Sequence, residues 1–324
     1  MVEKKDIVVT ITNSEYVKRV DVKAYKEQRR GGTGVSGADL KDEDFVVHLL
    51  TCSTHDTLLF FTTRGRLFWL KANDVPDASR QSKGRSLANL FNLRDEEVVD
   101  VRNIKNFEEG YLIFATKKGI VKKLPVKDIS KPRSTGVRVM NLPADGSDAI
   151  ISVKHITDGQ EVLLIKKKGN AVRFNSNDVR SMGRASYGVK GADVSSGDEV
   201  VSMEAIPKKE KVTILTITEK GYGKRSSLEE YRKTSRGSKG VINLKISDKT
   251  GNIVGSLSVD NKDSIIVTTT KGTVIRTSMK DLRVMGRATQ GVRIVKLKPG
   301  DKVADIVRIP RDDDLEKTDL RDFA

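Results

Sequence analysis

The residues best suited to bind a polyanion lie in one stretch, Gln28-Arg29-Arg30-Gly31-Gly32-Thr33-Gly34. Glycine reaches backbone angles closed to other residues and lets a large partner approach the main chain. Arginine keeps its charge, and its planar fork matches phosphate oxygens. The stretch therefore predicts a loop that contacts phosphate groups, and a solvated turn without a ligand is the alternative.

Weaker copies of this Arg/Gly stretch recur along the chain, at 80–84, 132–136, 184–188, 236–240 and 287–291. The closing glycines lie at 34, 84, 136, 188, 240 and 291. An arginine precedes that glycine by four positions in every copy except the third, where Pro132 takes this place and Arg133 follows. A fixed period of about 50 residues predicts an array of six structural repeats.

The segments that must position these loops look like β-strands. Each repeat opens with a short run rich in branched residues and threonine, at 7–12, 58–63, 111–116, 162–165, 212–218 and 265–270. A tight turn then carries a glycine in five repeats, and we expect Asn13 to supply the left-handed residue in the first. A second strand follows, with a basic residue four positions past the turn in every repeat except the second, which has Trp69.

Two further strands complete each repeat. A short polar segment after the second strand, as in Asn73-Asp74-Val75, predicts a brief turn capped by aspartate. A third strand begins near the closing glycine, as at Val137, and a fourth at an acid or glycine before an apolar pair, as in Glu97-Val98-Val99. A lone four-stranded sheet cannot bury both faces, so such blades must stack on one another.

The predicted fold is therefore all-β: a six-bladed, propeller-like domain of six four-stranded repeats. Closing the array into a ring removes its exposed ends, and an open spiral of the same blades is the alternative. We expect one domain over 1–310, with repeats at about 1–50, 51–105, 106–157, 158–207, 208–260 and 261–310. The acidic segment 311–324 is expected to be a disordered tail.

Composition indicates the kind of partner. A net charge of +16, with most of the excess in the last two repeats, favours a polyanion. Aromatic residues make up only 5%, which argues against stacking on unpaired bases and favours duplex nucleic acid held by its phosphates. The single cysteine, Cys52, excludes a disulfide framework and fits a reducing compartment. No apolar run is long enough to span a membrane, and no signal peptide is evident.

The Arg/Gly stretch and the repeats resemble those of a known family. Gln28–Gly34 is similar to the QRRGGKG box of the C-terminal domain of the bacterial DNA gyrase A subunit, with Thr33 in place of the lysine. The six repeats resemble those of the same domain over about 5–310. The resemblance implies a six-bladed β-pinwheel that bends and chirally wraps duplex DNA, so that gyrase supercoils DNA negatively. The loss of one positive charge at Thr33 leaves the contribution of this loop open.

The resemblance also implies partners and a location. The partners are double-stranded DNA and, in an A2B2 complex, the gyrase B subunit with the remainder of the gyrase A subunit; no membrane is implied. The location is the bacterial cytoplasm, in association with the nucleoid. We expect DNA contacts from the box residues Gln28, Arg29, Arg30, Gly31, Gly32, Thr33 and Gly34. We also expect them from basic residues along one rim: Lys18, Arg19, Arg64, Arg66, Arg80, Lys83, Arg85, Lys122, Lys123, Arg133, Arg138, Arg173, Arg184, Lys190, Lys224, Arg225, Arg236, Lys239, Arg276, Arg287 and Arg293.

The sequence predicts no catalytic residue, metal or cofactor for this chain. His48, His55 and His155 are scattered, without a cysteine or carboxylate at metal-ligand spacing. Gly221-Tyr222-Gly223-Lys224 lacks the spacing of a phosphate-binding P-loop. In the family, cleavage and ATP hydrolysis belong to other parts of the type II topoisomerase. Two alternatives remain: a DNA-binding domain of the topoisomerase IV type, and a basic propeller that binds an acidic protein.

Overall fold

The computed structural model describes residues 3–22, 46–78, 82–206, 208 and 212–309. The box Gln28–Gly34, Arg80 and the tail 311–324 lie outside the described residues.

The described part contains 23 strands, which are, in chain order, β1 (Asp6–Thr12), β2 (Tyr16–Asp21), β3 (Val46–Ser53), β4 (Thr57–Thr62), β5 (Arg66–Lys71), β6 (Arg85–Ser86), β7 (Val98–Ile104), β8 (Tyr111–Thr116), β9 (Ile120–Pro125), β10 (Val137–Arg138), β11 (Ile150–Ile156), β12 (Glu161–Lys166), β13 (Asn170–Asn175), β14 (Val189–Lys190), β15 (Val200–Ile206), β16 (Thr213–Thr218), β17 (Tyr222–Ser227), β18 (Val241–Ile242), β19 (Ile253–Val259), β20 (Ser264–Thr269), β21 (Val274–Ser278), β22 (Val292–Arg293) and β23 (Val303–Arg308). Short 3₁₀ helices cover Ala72–Asp74, Leu87–Asn89, Val126–Ile129, Ser176–Asp178, Leu228–Glu230 and Met279–Asp281.

The strands form six antiparallel sheets, so the all-β, six-bladed prediction is confirmed. Blades 1 to 5 have the strand orders β3-β1-β2-β6, β7-β4-β5-β10, β11-β8-β9-β14, β15-β12-β13-β18 and β19-β16-β17-β22. Blade 6 shows β23-β20-β21 among the described residues. In every blade the fourth strand of the repeat lies at one edge, and in blades 1 to 5 a two-residue third strand lies at the other.

That third strand does not belong to the blade of its own repeat, which corrects the expectation that each blade is built from one repeat. β10 comes from the third repeat but pairs with β5 of blade 2, where Val137 lies opposite Leu67. β6, β14, β18 and β22 cross to the preceding blade in the same way. Each of these sheets is therefore completed by the next repeat, and neighbouring blades are joined by main-chain hydrogen bonds as well as by side chains.

The first strand of each repeat is apolar on both faces because both faces are covered. In β4, Leu58 and Phe60 pack with residues of blade 1, whereas Leu59 and Phe61 pack with residues of blade 3. All four side chains have no exposed surface. A strand buried on both faces appears in the sequence as a continuous apolar run, and this is why these segments lack polar alternation.

The edge strands β3, β7, β11, β15, β19 and β23 pack against each other in succession, and β23 packs against β3. The six blades thus form a closed ring, in agreement with the ring prediction over the open spiral. These strands line a central channel of about 1560 Å³. Arg102 and Asp100 pair across 2.8 Å on its wall. The two-residue strands, at the opposite sheet edges, form the outer rim.

Two local expectations about turns were wrong. In the first hairpin the left-handed residue is Glu15, with a φ of 59°, and not Asn13. Glu15 donates its N–H to the Thr12 carbonyl at 3.0 Å, as the turn glycines do in later repeats. The 3₁₀ turns are not capped by their aspartates. Where a side chain caps the turn, it is the residue just before it, namely Asn175, Ser227 or Ser278.

Candidate nucleic-acid interface

The Arg/Gly loops lie on the outer rim, because each leads directly into a two-residue edge strand. We call the described loops, 82–84, 132–136, 184–188, 236–240 and 287–291, the rim loops. Their closing glycines all have left-handed backbone angles. At Gly240, with a φ of +81°, an added Cβ would lie 2.1 Å from the Ala171 carbonyl oxygen. The glycine of the motif is thus required for the edge strand to approach its partner.

The arginine of the motif ties its loop to the previous repeat. Arg236 donates from Nε to the Asp178 carbonyl at 2.9 Å and from Nη1 to the Lys190 carbonyl at 3.0 Å. Arg287 makes the equivalent bonds to the carbonyls of Glu230, at 2.9 Å, and Ile242, at 2.6 Å. These two arginines position the rim, and their side chains remain partly exposed.

Two lysines that were predicted to touch DNA are buried beneath rim loops. Lys122 Nζ donates to the carbonyls of Val139 at 2.7 Å, Arg184 at 2.6 Å and Ser186 at 3.3 Å. Lys224 Nζ donates to Ser226 Oγ at 2.7 Å and to the carbonyls of Gly286 and Arg287 at 3.0 and 2.5 Å. Burial lowers the pKa of Lys122 to about 8 and that of Lys224 to about 7.

The strand position of Lys122 and Lys224, three residues after the hairpin turn, alternates between lysine and an apolar residue around the ring. Lys18 in blade 1, which is half-buried, also donates to its rim loop, to the Ser82 carbonyl at 2.9 Å. Blades 2, 4 and 6 have Phe68, Val172 and Ile275 at the equivalent position. In each odd blade, a lysine of the second strand therefore donates hydrogen bonds to carbonyl groups of the rim loop. The apolar residues of the even blades have no donor at this position.

The regularly spaced basic residue of the second strands joins blades together. Arg173 Nη1 donates to the carbonyls of Leu228 and Tyr231 at 2.9 and 2.8 Å, and its Nη2 pairs with Glu161 at 2.5 Å. Lys123 Nζ donates to the Ser176 carbonyl at 3.1 Å. Trp69, which breaks the basic pattern, makes the equivalent link with its indole N–H, donating to the Ile129 carbonyl at 3.2 Å.

Burial therefore corrects part of the predicted interface. Lys122, Lys123, Lys224 and Arg225 are 0%, 5%, 0% and 3% exposed, so their charged groups face protein. Arg225 Nη2 donates to Asn261 Oδ1 at 2.6 Å. The sequence pattern detected Lys123 and Arg225 because a basic residue recurs at their strand position, where Lys123 and Arg173 donate to the next repeat. A regular spacing of charge along a strand does not distinguish a donor to the next blade from a donor to a ligand.

Three other predicted residues are half-buried, and two of them donate to carbonyl groups. Arg64 donates to the carbonyls of Pro143 and Asp148 at 3.0 and 3.2 Å. Arg66 donates to the Thr135 carbonyl at 2.8 Å and lies 3.3 Å from Glu96 Oε1. Arg19 is half-buried, and its Nε has no hydrogen-bond partner. The first two side chains hold loops in place, and their donor groups are already bonded within the protein.

The remaining predicted cations are exposed. They are Lys83, Arg85, Arg133, Arg138, Lys190, Lys239, Arg276 and Arg293, and Arg184 is half-exposed. Arg133, Arg138 and Arg184 border one surface groove of about 610 Å³ between two neighbouring rim loops. Aromatic rings orient two of the others: Lys83 Nζ lies 4.2 Å from the Tyr16 ring centroid, and Arg293 Nη2 donates to Tyr222 Oη at 2.9 Å. This surface presents positive charge at each described blade edge.

Sequence reasoning missed a second row of exposed arginines. Arg180, Arg232 and Arg283 each follow a 3₁₀ turn, four positions before the arginine of the rim loop. They occur in the last three repeats, at the period of the array. The same period that located the rim loops could therefore have located these arginines.

The described residues contain no group of three His, Cys, Asp or Glu side chains placed to hold a metal ion. Desolvation lowers the pKa of both the half-buried His48 and the exposed His155, which favours neutral imidazoles. Among the helices of the described ranges, none has the length and apolarity to cross a bilayer.

Comparisons with known proteins agree with this architecture. The family model described as DNA gyrase C-terminal domain, beta-propeller matches six times, at residues 6–53, 56–105, 110–157, 160–207, 213–260 and 263–310. The DNA gyrase A subunit of Salmonella typhimurium is 40% identical over 324 residues, which is 99% of this chain and 36% of that protein. The chain thus spans about a third of the length of that relative.

Two solved structures have the same fold. A crystal structure of the C-terminal domain of DNA topoisomerase IV superposes with a TM-score of 0.80 at 28% identity, covering 98% of this chain and 97% of that one. A DNA gyrase A C-terminal domain structure gives a TM-score of 0.77 at 27% identity, covering 94% and 100%.

Proposed function

Because the chain belongs to the DNA gyrase C-terminal domain family, we propose that it binds duplex DNA, bends it and wraps it chirally around the outer rim. The wrapped segment is thereby presented for strand passage and negative supercoiling by DNA gyrase. The observation that carries this proposal is the set of exposed cations, Arg85, Arg138, Lys190 and Arg293, on the edge strands of four blades of a closed ring; Lys190 also pairs with Asp193 at 2.5 Å. A curved, repeated row of positive charge fits a bent polyanion.

The energetics are consistent with wrapping. Bending 20–30 bp smoothly by 40–90° costs roughly 1–6 kcal/mol. Many phosphate contacts spread along the rim can offset that cost, and such contacts carry little sequence information. Binding is therefore expected to be largely independent of sequence. If six to ten phosphates are neutralised, affinity falls about 10³–10⁵-fold between about 50 and 200 mM salt, and a nearly flat salt dependence would refute rim binding.

The wider assignment follows the relatives. The chain covers 36% of a gyrase A subunit, so we assign DNA cleavage and ATP hydrolysis to other parts of an A2B2 gyrase and no catalysis or cofactor to this domain. The partners are the rest of the A subunit, the B subunit, and duplex DNA. Such a complex acts in the bacterial cytoplasm, on the nucleoid.

Ligation of nicked plasmid at increasing protein concentration tests chirality directly. If the protein wraps DNA with one handedness, sealing the nick by ligase leaves the plasmid with a shifted linking number. The shift grows with bound protein and is toward positive values for gyrase-like wrapping. Tight binding without a shift would contradict chiral wrapping.

The double variant Arg29→Ala/Arg30→Ala should reduce the shift more than the affinity, since one loop is a small part of the total charge. Lys105→Ala, which removes an exposed charge beside the central channel, is the control and should leave the shift unchanged.

A domain of the topoisomerase IV type is the second candidate. It is favoured by the slightly higher TM-score of that structure, 0.80 against 0.77. The box sequence Gln28–Gly34 favours gyrase. The ligation experiment separates the two, because a topoisomerase IV type domain is expected to bind without the box-dependent shift. A box variant in which both the linking-number shift and the affinity for DNA are unchanged would favour the docking of an acidic protein.

A further inference from the structure

One rim loop carries an aromatic residue where the others carry polar ones. The residue before the closing glycine is exposed in each described rim loop, and it is Lys83, Thr135, Tyr187, Lys239 or Gln290. Tyr187 is 61% exposed, the largest value among the exposed large hydrophobic residues of the described ranges. Single exposed apolar residues are ordinary on protein surfaces, so a function for Tyr187 depends on how it is held and what surrounds it.

The main chain around Tyr187 is fixed from below. The Ser186 carbonyl, immediately before it, accepts hydrogen bonds from the Asn141 N–H at 2.9 Å and from Lys122 Nζ at 3.3 Å. Ser186 Oγ donates to the Gly183 carbonyl at 2.9 Å. Immediately after it, Gly188 has a φ of +95°, and a Cβ there would lie 2.5 Å from the Val121 carbonyl oxygen. Both neighbours are thus anchored, and little backbone entropy remains to be lost when the ring meets a ligand.

The surroundings of Tyr187 suit a nucleic acid backbone. The groove bordered by Arg133, Arg138 and Arg184 includes Ala185 and Ser186 of the same loop. Arginines in a groove hold phosphates. Tyr187 directly follows Ser186, which lines this groove, so its exposed ring would meet the sugars or base edges of a duplex whose phosphates lie in the groove. Proteins that bend DNA commonly press an apolar side chain against a base step in the minor groove, and the cost of unstacking depends on the step.

We propose that Tyr187 is a minor-groove wedge that fixes where the wrapped DNA kinks, so that the domain prefers flexible pyrimidine–purine steps at this loop. The proposal rests on the proposed function, because it requires DNA on the rim. It adds a specificity-determining residue to a surface whose other contacts are to phosphates. The rim would thus hold DNA of any sequence but set its position through one aromatic side chain.

The test compares the affinity of the protein for two duplexes of about 40 bp, one with a central TA step and one with a stiff A-tract. Wild-type protein should prefer the TA duplex about tenfold, and Tyr187→Ala should bring the preference within about twofold. Tyr187→Phe keeps the ring and should retain the preference. The salt dependence of Tyr187→Ala should match wild type, since no phosphate contact is lost. Thymines at the TA step should react with permanganate only in complexes that contain the ring.

Lys239→Ala is the matched control, because Lys239 occupies the equivalent place on another rim loop. It should weaken binding to both duplexes equally and lower the slope of log K against log salt by about 1. Equal wild-type affinity for the two duplexes, or an unchanged preference in Tyr187→Ala, would overturn the wedge and leave rim binding intact. Wild-type protein that binds neither duplex would instead overturn the proposed function, and the wedge with it.

Discussion

At the scale of single residues, the basic side chains have two different tasks. Lys224 is fully buried and donates to the carbonyls of Gly286 and Arg287, whereas Lys239 is exposed on a neighbouring loop. Both lie in basic segments of similar appearance. A buried lysine must have its ammonium protons hydrogen-bonded or give up its charge, and the inward carbonyls of the rim loops provide acceptors for Lys224. The charge available to the proposed DNA ligand is thus smaller than the number of basic residues suggests.

Replacing Lys224 by methionine should destabilise the domain by about 1–3 kcal/mol, because buried carbonyls lose a donor. The matched change Lys239→Met, at an exposed side chain, should stay within about 0.5 kcal/mol. Urea unfolding followed by circular dichroism measures both. Equal free energies of unfolding for the two variants would show that the buried hydrogen bonds of Lys224 contribute no net stability.

Wild type and Lys224→Met should also differ in their pH dependence. Burial lowers the pKa of Lys224 from 10.5 to about 7. Between these values the unfolded chain binds more protons at this site than the folded chain, so the stability that the site contributes rises with pH. Methionine does not titrate. The free energy of unfolding of wild type minus that of Lys224→Met should therefore increase between about pH 7 and about pH 9, and a constant or falling difference would contradict the lowered pKa.

At the scale of elements, the two-residue edge strands connect the repeats. A strand this short has few ladder hydrogen bonds, and its position depends on the closing glycine beside it. Gly240 brings β18 against Ala171 in blade 4. Side-chain bonds such as Arg173 to Leu228 and Trp69 to Ile129 also join neighbouring blades. Each of these junctions therefore combines a strand from the next repeat with a side-chain donor.

Gly240→Ala should destabilise the domain by at least about 2 kcal/mol, because it combines left-handed strain with a steric clash. Gly183→Ala is the control: Gly183 is in a rim segment too, but an added Cβ there would meet nothing within 4 Å. Thermal unfolding of the two variants measures the difference. Similar midpoints would mean that the edge strand contributes little to stability.

At the scale of the whole molecule, the ring is closed by the packing of β23 against β3. Because blades 1 to 5 are each completed by the next repeat, none of their sheets is formed by one repeat alone. Stability in repeat arrays depends on the interfaces between neighbours, and here those interfaces contain main-chain bonds. A closed ring of blades joined in this way fits the wrapping proposed for the rim.

Trp69 provides a local probe of this cooperativity. It is half-buried in blade 2 and bonded to Ile129, so its fluorescence should report unfolding. Gly240→Ala, two blades away, should move the fluorescence transition and the circular dichroism transition by the same amount, as two-state unfolding demands. A Trp69 transition that stays at the wild-type midpoint while circular dichroism shifts would show that the blades unfold separately.

The sequence alone determined the repeats and the strands within them, and its net charge indicates a polyanionic partner. These properties are local or periodic: strand type follows from branched apolar runs, and the hairpin turns are marked by glycine in five of the six repeats. The six-bladed fold followed because blades must stack to bury both faces. The rim loops could be located for the same reason, since their Arg and Gly recur with the period of the array.

Only the tertiary structure decided which blade receives each third strand and which cations remain exposed. Both depend on contacts between repeats, and in the sequence a basic residue that makes such a contact looks the same as one that faces solvent. Lys122 and Lys190 are both basic and both lie on strands, yet one is buried under Ser186 and the other is exposed on the rim. Whether a charge faces carbonyls or solvent is settled by the neighbouring blade, which is why the sequence pattern could locate the loops but also assigned buried donors to the predicted interface.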